Sequence, residues 1–381
     1  MVATGVTNFF LSVFFSEKLG FSGRQIGVLF AAQALTGVLA SFPTGLGNDR
    51  ITSRTFIGAG LVFQAIGFAL MGWVRMFVPY LLIFFFWSLS NNVFKSSLDV
   101  QILKTDTGER TGSRIGFYQA WRYGGLAVGT IGAGYILHLL DFQKSLFTVA
   151  ALCLALSWMS RGLAPTPVTR VRLSDYFADF SSPRAILFAG WLFLFATHWG
   201  AEYTCYGLFL RKGLHLSLQQ MGLYMSAEFA AVLVTLLLVR NRTNGKRRLR
   251  NVAIAGLVAS GAGHIGMVLR PVALSLAFRS LHGLGDGLMV LVMYIGLARL
   301  FSIERLGGNA GLVNLSTMLG FVTGSLIYGP MGEHLGYSVP FWISGALTIL
   351  LALPIVTDHP VQWARALEAK LVPARVRSKA A

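Results

Sequence analysis

Negative charge is what this chain has least of: 15 Asp and Glu in 381 residues, against 32 Lys and Arg. All charged types together make up 12% of the sequence. A soluble domain covers itself with about a quarter charged residues, so a water-soluble globular protein is excluded. Cysteine is nearly absent. Cys153 and Cys205 both fall inside apolar stretches, which excludes a disulfide scaffold and makes them small core residues. No metal-ligand spacing and no nucleophile beside a base is visible. Gly45-x-Gly47 lacks the third glycine of a dinucleotide fingerprint, and Asn244-Gly245-Lys246 lacks the rest of a phosphate loop. The expectation is no enzyme, no cofactor and no metal.

What is present is hydrocarbon. Hydrophobic residues make up 54% of the chain, and mean hydropathy is +0.63. The apolar residues fall in blocks at 24–47, 55–74, 77–103, 115–140, 142–160, 185–210, 218–239, 251–269, 271–300, 309–332 and 336–357, with a shorter one at 2–16. About 20 residues of helix cross the ~30 Å of bilayer hydrocarbon. Backbone groups there have no water to bond, so the blocks are predicted to be helices. The count predicts an all-α membrane protein of twelve spans. Most Lys and Arg lie in loops after even-numbered spans and in the C-terminal tail, among them Arg50, Arg54, Arg110, Arg114, Lys246, Arg247 and Arg248. The other side holds Lys18, Arg24, Arg75, Lys144, Arg211, Lys212 and Arg270. The positive-inside rule then places both termini in the cytoplasm, with the chain integral to the cytoplasmic (inner) membrane. On this reading the net charge of +17 is topology, and nucleic acid is not a partner. The tail from His359 carries Trp363, Leu367 and Leu371 among Arg365, Lys370 and Arg375. It reads equally as an amphipathic helix on anionic lipid or as a solvated tail.

The chain also repeats itself. At a shift of 195 residues, Ser22-x-x-Gln25-Ile-Gly27 falls on Ser217-x-x-Gln220-Met-Gly222, and Arg75 falls on Arg270. Glu109-Arg110-x-Gly112 meets Glu304-Arg305-x-Gly307, while Gly116, Gly125, Gly129 and Gly134 meet Gly311, Gly320, Gly324 and Gly329. The expected division is a six-helix bundle over 1–160, a cytoplasmic linker over 161–184, a second six-helix bundle over 185–357 and a cytoplasmic tail over 358–381. Two parallel halves of this kind are the plan of a facilitator-type transporter. Span 7 begins near Arg184, and the same shift places the start of span 1 before Met1. The expectation is that the first part of helix 1 is missing.

At the loop after span 2, Gly45-Leu-Gly-Asn-Asp49-Arg50-Ile-Thr-Ser-Arg54 resembles the major facilitator signature G-x-x-x-D-R-x-G-R-R, with Thr52 and Ser53 as departures. The resemblance implies alternating access, with Gly45, Asp49, Arg50 and Arg54 as a gating motif in which Asp49 pairs with loop cations. The shifted copy at 240–250 keeps the positive charge but has Asn244 where Asp49 would fall. Arg122-Tyr-Gly-Gly125 is similar to the R-x-x-G segment of the lactose-permease branch, where the Arg helps bind substrate beside a span-4 carboxylate. Arg279-Ser-Leu-His282-Gly-Leu-Gly-Asp286 resembles that branch's K-x-L-H-x-x-E, which carries proton coupling; the L-H-G stretch recurs in phenylpropionate-permease-like proteins. Asp286 stands one residue late, about 100° round the helix, which puts its coupling role in question. Met225-Ser-Ala-Glu228 resembles the branch's embedded glutamate.

Apart from any resemblance, an ionisable group at bilayer depth costs about 2.5–3.5 kcal/mol on insertion scales and marks function by default. Lys95 and Asp99 share one helix face. With Arg122 and Glu228 they form the expected substrate site, or alternatively an interfacial ion network. His282, Asp286, Arg279 and Glu228 form the expected proton-coupling group, or alternatively a structural hydrogen-bond network. His264 on span 9 stands as a possible member or a structural histidine. Glu202, toward the far end of span 7, reads either as an outer gate or as a near-surface charge. Three basic groups against four acidic ones leave the charge of the substrate open. The function expected is secondary active transport of a small polar organic solute by alternating access, as proton symport. An efflux transporter and a non-transporting membrane assembly or sensor protein are the alternatives. The expected partners are a small-molecule substrate, protons and the lipid bilayer, with a monomer as the working unit.

Overall fold

Apolar runs bounded by charge or by Gly and Pro have one way to satisfy their backbone in lipid, and the chain takes it. The computed structural model describes residues 10–105, 111–166, 168, 173–239, 246–301 and 305–357. Among the described residues the regular structure is entirely helical. The elements are α1 (Phe10–Glu17), α2 (Gly23–Arg50), α3 (Ser53–Met71), α4 (Phe77–Thr105), α5 (Thr111–Met159), α6 (Leu173–Phe180), α7 (Pro183–Ala201), α8 (Leu218–Val239), α9 (Lys246–Gly266), α10 (Val272–Leu300), α11 (Leu306–Leu335), α12 (Val339–Leu350) and α13 (Leu353–Thr357). Helix α5 is two arms that break at Asp141, whose backbone is at φ 63° and ψ 172°. Helix α7 runs on through two π turns, Glu202–Tyr206 and Phe209–Gly213. Among the described residues eight stretches are long and apolar enough to cross a membrane. The other runs are helical over their described residues. The start of helix 1, the loop at 240–245 and the tail at 358–381 lie outside the described residues.

The repeat recurs at atomic detail. Ser22 N donates to Gln25 Oε1 at 2.9 Å and Gln25 N to Ser22 Oγ at 3.2 Å, a reciprocal capping box at the start of α2. The same pair of bonds opens α8, with Ser217 N to Gln220 Oε1 at 2.8 Å and Gln220 N to Ser217 Oγ at 3.2 Å. These two helices each cross to the other half of the chain. Helix α2 packs along α11, and α8 packs along the first arm of α5. Glycines bring the backbones together. A Cβ on Gly222 would stand 2.9 Å from Thr130 O, and one on Gly134 would stand 2.9 Å from Leu218 O. On the other seam, a Cβ on Gly311 would lie 2.6 Å from Ser41 O. Gly320 and Gly324 rest on the Phe193 and Thr197 carbonyls of α7 with no room for a methyl group.

Which face a helix buries follows its spacing. In the run Phe84-Phe85-Phe86-Trp87, Phe84 and Trp87 are buried three residues apart, whereas Phe86 is 65% exposed. Phe84 stacks on Trp87 at 5.3 Å and meets Phe15 edge-on at 5.6 Å. Trp73, Trp121, Trp158 and Leu139 point outward, as side chains do when the surrounding solvent is lipid. Cys153 and Cys205 are buried core residues.

The close seam between α5 and α8 is checked by adding one methyl. Gly222→Ala and Gly134→Ala should each destabilise by about 1–3 kcal/mol through overpacking, lowering the thermal midpoint in detergent. Gly132→Ala, with nothing within 4 Å, should leave the midpoint in place.

Candidate functional site

A cavity of about 310 Å³ lies between the two halves. Helices α2, α4 and α5 supply Gln33, Asn91, Lys95, Asp99 and Arg122 to one wall; α7, α8, α10 and α11 supply Trp199, Glu202, Glu228, Asp286 and Phe321 to the other. Its lining runs to Gly45, Val100, Leu297 and Gly311, near the helix ends that carry Arg50, Lys104 and Arg305. At the opposite ends, Arg211 Nε donates to Glu17 Oε1 at 3.0 Å, an exposed pair of the kind worth at most about 1 kcal/mol.

On the first wall Arg122 Nη1 donates to Asp99 Oδ1 at 3.2 Å, and the Tyr118 hydroxyl donates to the same oxygen at 3.1 Å. The two residues that the sequence placed at one site, as substrate ligands or as an ion network, thus meet directly. Arg122 also reaches across the cavity to the Tyr294 hydroxyl of α10 at 3.4 Å. Lys95 stands one turn from Asp99 and lines the cavity. Among the described residues it makes no hydrogen bond or ion pair.

On the second wall Arg279 has no exposed surface. Its guanidinium pairs with Glu228, meets Glu202 at 3.4 Å, and lies 4.3 Å over the Tyr206 ring. His282 Nε2 is 2.6 Å from Glu202 Oε1. The Ser260 hydroxyl donates to Asp286 Oδ1 at 2.6 Å, and His198 Nε2 lies 3.5 Å from Asp286 Oδ2. His282 is 3.7 Å from the same carboxylate. The late position of Asp286 therefore does not remove it from the group, because α7 and α9 supply its partners. Glu202 sits at the centre, 3% exposed, and is neither an outer gate nor a near-surface charge. Arg279 and His282 of α10 hold it inside the bundle, where the apolar run alone had placed it toward one end of the span. His264 joins the group, with Nδ1 at 3.6 Å from Glu202. Sequence reasoning set Tyr203 and Tyr206 beside Glu202 but passed over His198 and Ser260. The signals for those two were spacings of four: His198 before Glu202, and Ser260 before His264.

Donor atoms of His198, Glu202 and His282, and of Glu228, His282 and Asp286, lie within 4.8 Å of one another in each set. Each set joins a pair four residues apart on one helix to a single residue of another, so sequence spacing alone gives only two of the three donors. Arg279, paired with both glutamates, already supplies positive charge where a cation would need their negative charge.

The signature aspartate is locked in place. Asp49 is 1% exposed and accepts from Lys104 Nζ at 2.7 Å, the Tyr176 hydroxyl at 2.7 Å and Gly308 N at 3.2 Å. The last donor belongs to the first turn of α11, where the helix dipole favours an anion. Gly45 is buried and lines the cavity, while Arg50 and Arg54 are exposed. The cation on Asp49 is thus Lys104 from the end of α4, and not a residue of the motif itself. Tyr176 comes from α6, between the halves. Burial, then its hydrogen bond to Asp49, pushes the phenol well above its ordinary pKa. The same helix places Asp179 2.8 Å from Arg305 Nε and 2.8 Å from Asn309 Nδ2.

A sequence model described as the Major Facilitator Superfamily matches this chain over residues 1–209 and again over 192–378. No curated protein matches it in sequence. Among solved structures, a point mutant of the nucleoside transporter NupG superposes with a TM-score of 0.71 at 15% identity, covering 93% of this chain and 96% of that one. The human organic anion transporter MFSD10 (TETRAN) gives 0.67 at 16% identity, over 90% and 88% of the two chains. At such identities the likeness shows the fold. The family match spans the chain and the twofold helical architecture agrees with it: the protein belongs to the Major Facilitator Superfamily.

Proposed function

We propose that this chain is a secondary active transporter that moves a small polar organic solute by alternating access, coupled to protons as a symporter. The observation that carries the reading is the buried group around Arg279 on the cavity wall. Three carboxylates, Glu202, Glu228 and Asp286, share one guanidinium and three imidazoles among them. In lipid such a group is costly unless its charges balance, and its balance changes by whole protons. A proton on Glu228 removes one partner of Arg279 and alters the wall that faces the solute. Asp99, Arg122 and Lys95 face the solute from the other half, with Glu228 opposite. Proton loading and solute binding therefore act on one cavity.

The bundles at 1–160 and 185–357 rock about the two glycine seams, and the linker at 161–184 spans them. The basic face is cytoplasmic and the chain works as a monomer in the cytoplasmic membrane. Asp49 is the latch on that face, because its donors come from α4, α6 and α11 at once. The printed names of the structural relatives, nucleoside and organic anion transporters, support a small organic solute.

In proteoliposomes with an internal pH dye, a panel of sugars, nucleosides and organic acids should contain a solute that drives proton entry. His282→Ala and Asp286→Asn should each lower that entry at least tenfold. Entry that survives both changes would move coupling away from this group. Tyr176→Phe removes one hydrogen bond to a buried carboxylate, about 1.5–3 kcal/mol. A cysteine at the cavity mouth, Leu297→Cys, should then be alkylated from the basic side roughly tenfold faster. An unchanged rate would show that α6 is no part of the latch.

A further inference from the structure

The two walls of the cavity differ in how far their charges are satisfied. On the α7–α11 side each carboxylate has partners: Glu228 has Arg279, Glu202 has Arg279 and His282, and Asp286 has Ser260 and His198. On the α2–α5 side Asp99 is taken by Arg122 and Tyr118. Lys95 is left, a cavity-lining cation with no ion pair or hydrogen bond among the described residues. It cannot escape to the membrane surface. Ten residues separate it from Thr105 at the end of α4, about 15 Å along the helix, farther than a four-carbon stem reaches. An ammonium held at that depth needs a counter-charge.

The same wall carries two buried acceptors without donors. Among the described residues Gln33 Oε1 and Asn91 Oδ1 have no hydrogen-bond partner, and the two residues are 8% and 2% exposed. Both residues line the cavity, and Asn91 is one turn before Lys95 on α4. An unsatisfied buried acceptor costs about 1–3 kcal/mol, which a ligand O–H or N–H offsets. Across the cavity the lining is aromatic: Phe195, Trp199, Tyr203, Phe229 and Phe321.

We infer that the solute is an amphipathic organic monoanion. Its carboxylate sits at Lys95, its O–H or N–H donors reach Asn91 and Gln33, and its apolar body lies against the Trp199–Phe321 wall. The inference rests on the transport reading for the purpose of the cavity, and it narrows the substrate class. A neutral sugar would leave the ammonium with no counter-charge beyond Asp99, which Arg122 already pairs, and the aromatic wall with little apolar surface to cover. An organic cation would be repelled by Lys95.

The test is calorimetric titration of the purified full chain with para-hydroxyphenylacetate and with its neutral amide. The acid should bind at least tenfold more tightly. Lys95→Gln should bring the two affinities together, while Lys95→Arg keeps the preference. Asn91→Leu should weaken the hydroxy acid and leave phenylacetate, which lacks the hydroxyl, unchanged. Equal affinity for acid and amide, no binding of the acid at millimolar concentration, or a preference intact in Lys95→Gln would each overturn the inference. Proton entry in proteoliposomes separates it from the reading beneath it. Entry driven by uridine or a galactoside and not by the acids overturns the inference and leaves proton-coupled transport standing. A Lys95-dependent preference for the acid, with no solute moving protons, keeps the site and removes symport.

Discussion

A guanidinium with no exposed surface, placed between two glutamates in the middle of a membrane protein, constrains everything around it. Arg279 carries positive charge at any biological pH, so its site must supply negative charge. Glu202 comes from α7 and Glu228 from α8. Their surplus charge in turn draws in His198, His264 and His282 from three helices. Removing one partner of a buried pair typically costs 3–5 kcal/mol, so these helices are held together by their shared charge balance. That balance can shift only by whole protons, which ties the stability of the C-terminal half to its protonation.

The contacts between the halves are of another kind. Along α2–α11 and α5–α8 the backbones approach across glycines, where small side chains offer a smooth contact and few interlocking knobs. Asp49 stands at one end of a seam and gathers donors from α4, α6 and α11. One carboxylate thus ties three helices together, the helix between the halves among them.

Much of this was legible in the residues. The helical class follows from apolar run length, and the duplication from glycines and caps recurring at one shift. The capping boxes at Ser22 and Ser217 show why. A local motif of four residues encodes its own geometry wherever it stands. The meeting of Asp99 with Arg122 was legible for a similar reason, since both lie at comparable depth on neighbouring spans. Glu202 was not legible, because its place in the group is set by Arg279, His282 and His264 on other helices, which hydropathy along one span does not show. Nor was the role of Lys104, which pairs with Asp49 across a distance of many residues while Arg50 and Arg54 beside it face water.

By itself the sequence determined the solvent of this protein, its helices, its repeat and the presence of ionisable groups at bilayer depth, because these depend on composition and local spacing alone. It left the pairing of the ionisable groups open, since three basic and four acidic groups can pair in many ways. Tertiary structure decided the pairing: it joined Asp99 to Arg122, and Glu202 and Glu228 to Arg279, and left Lys95 facing the cavity. Electrostatic interactions fall with distance and rise with burial, and both quantities are fixed only once the helices are packed.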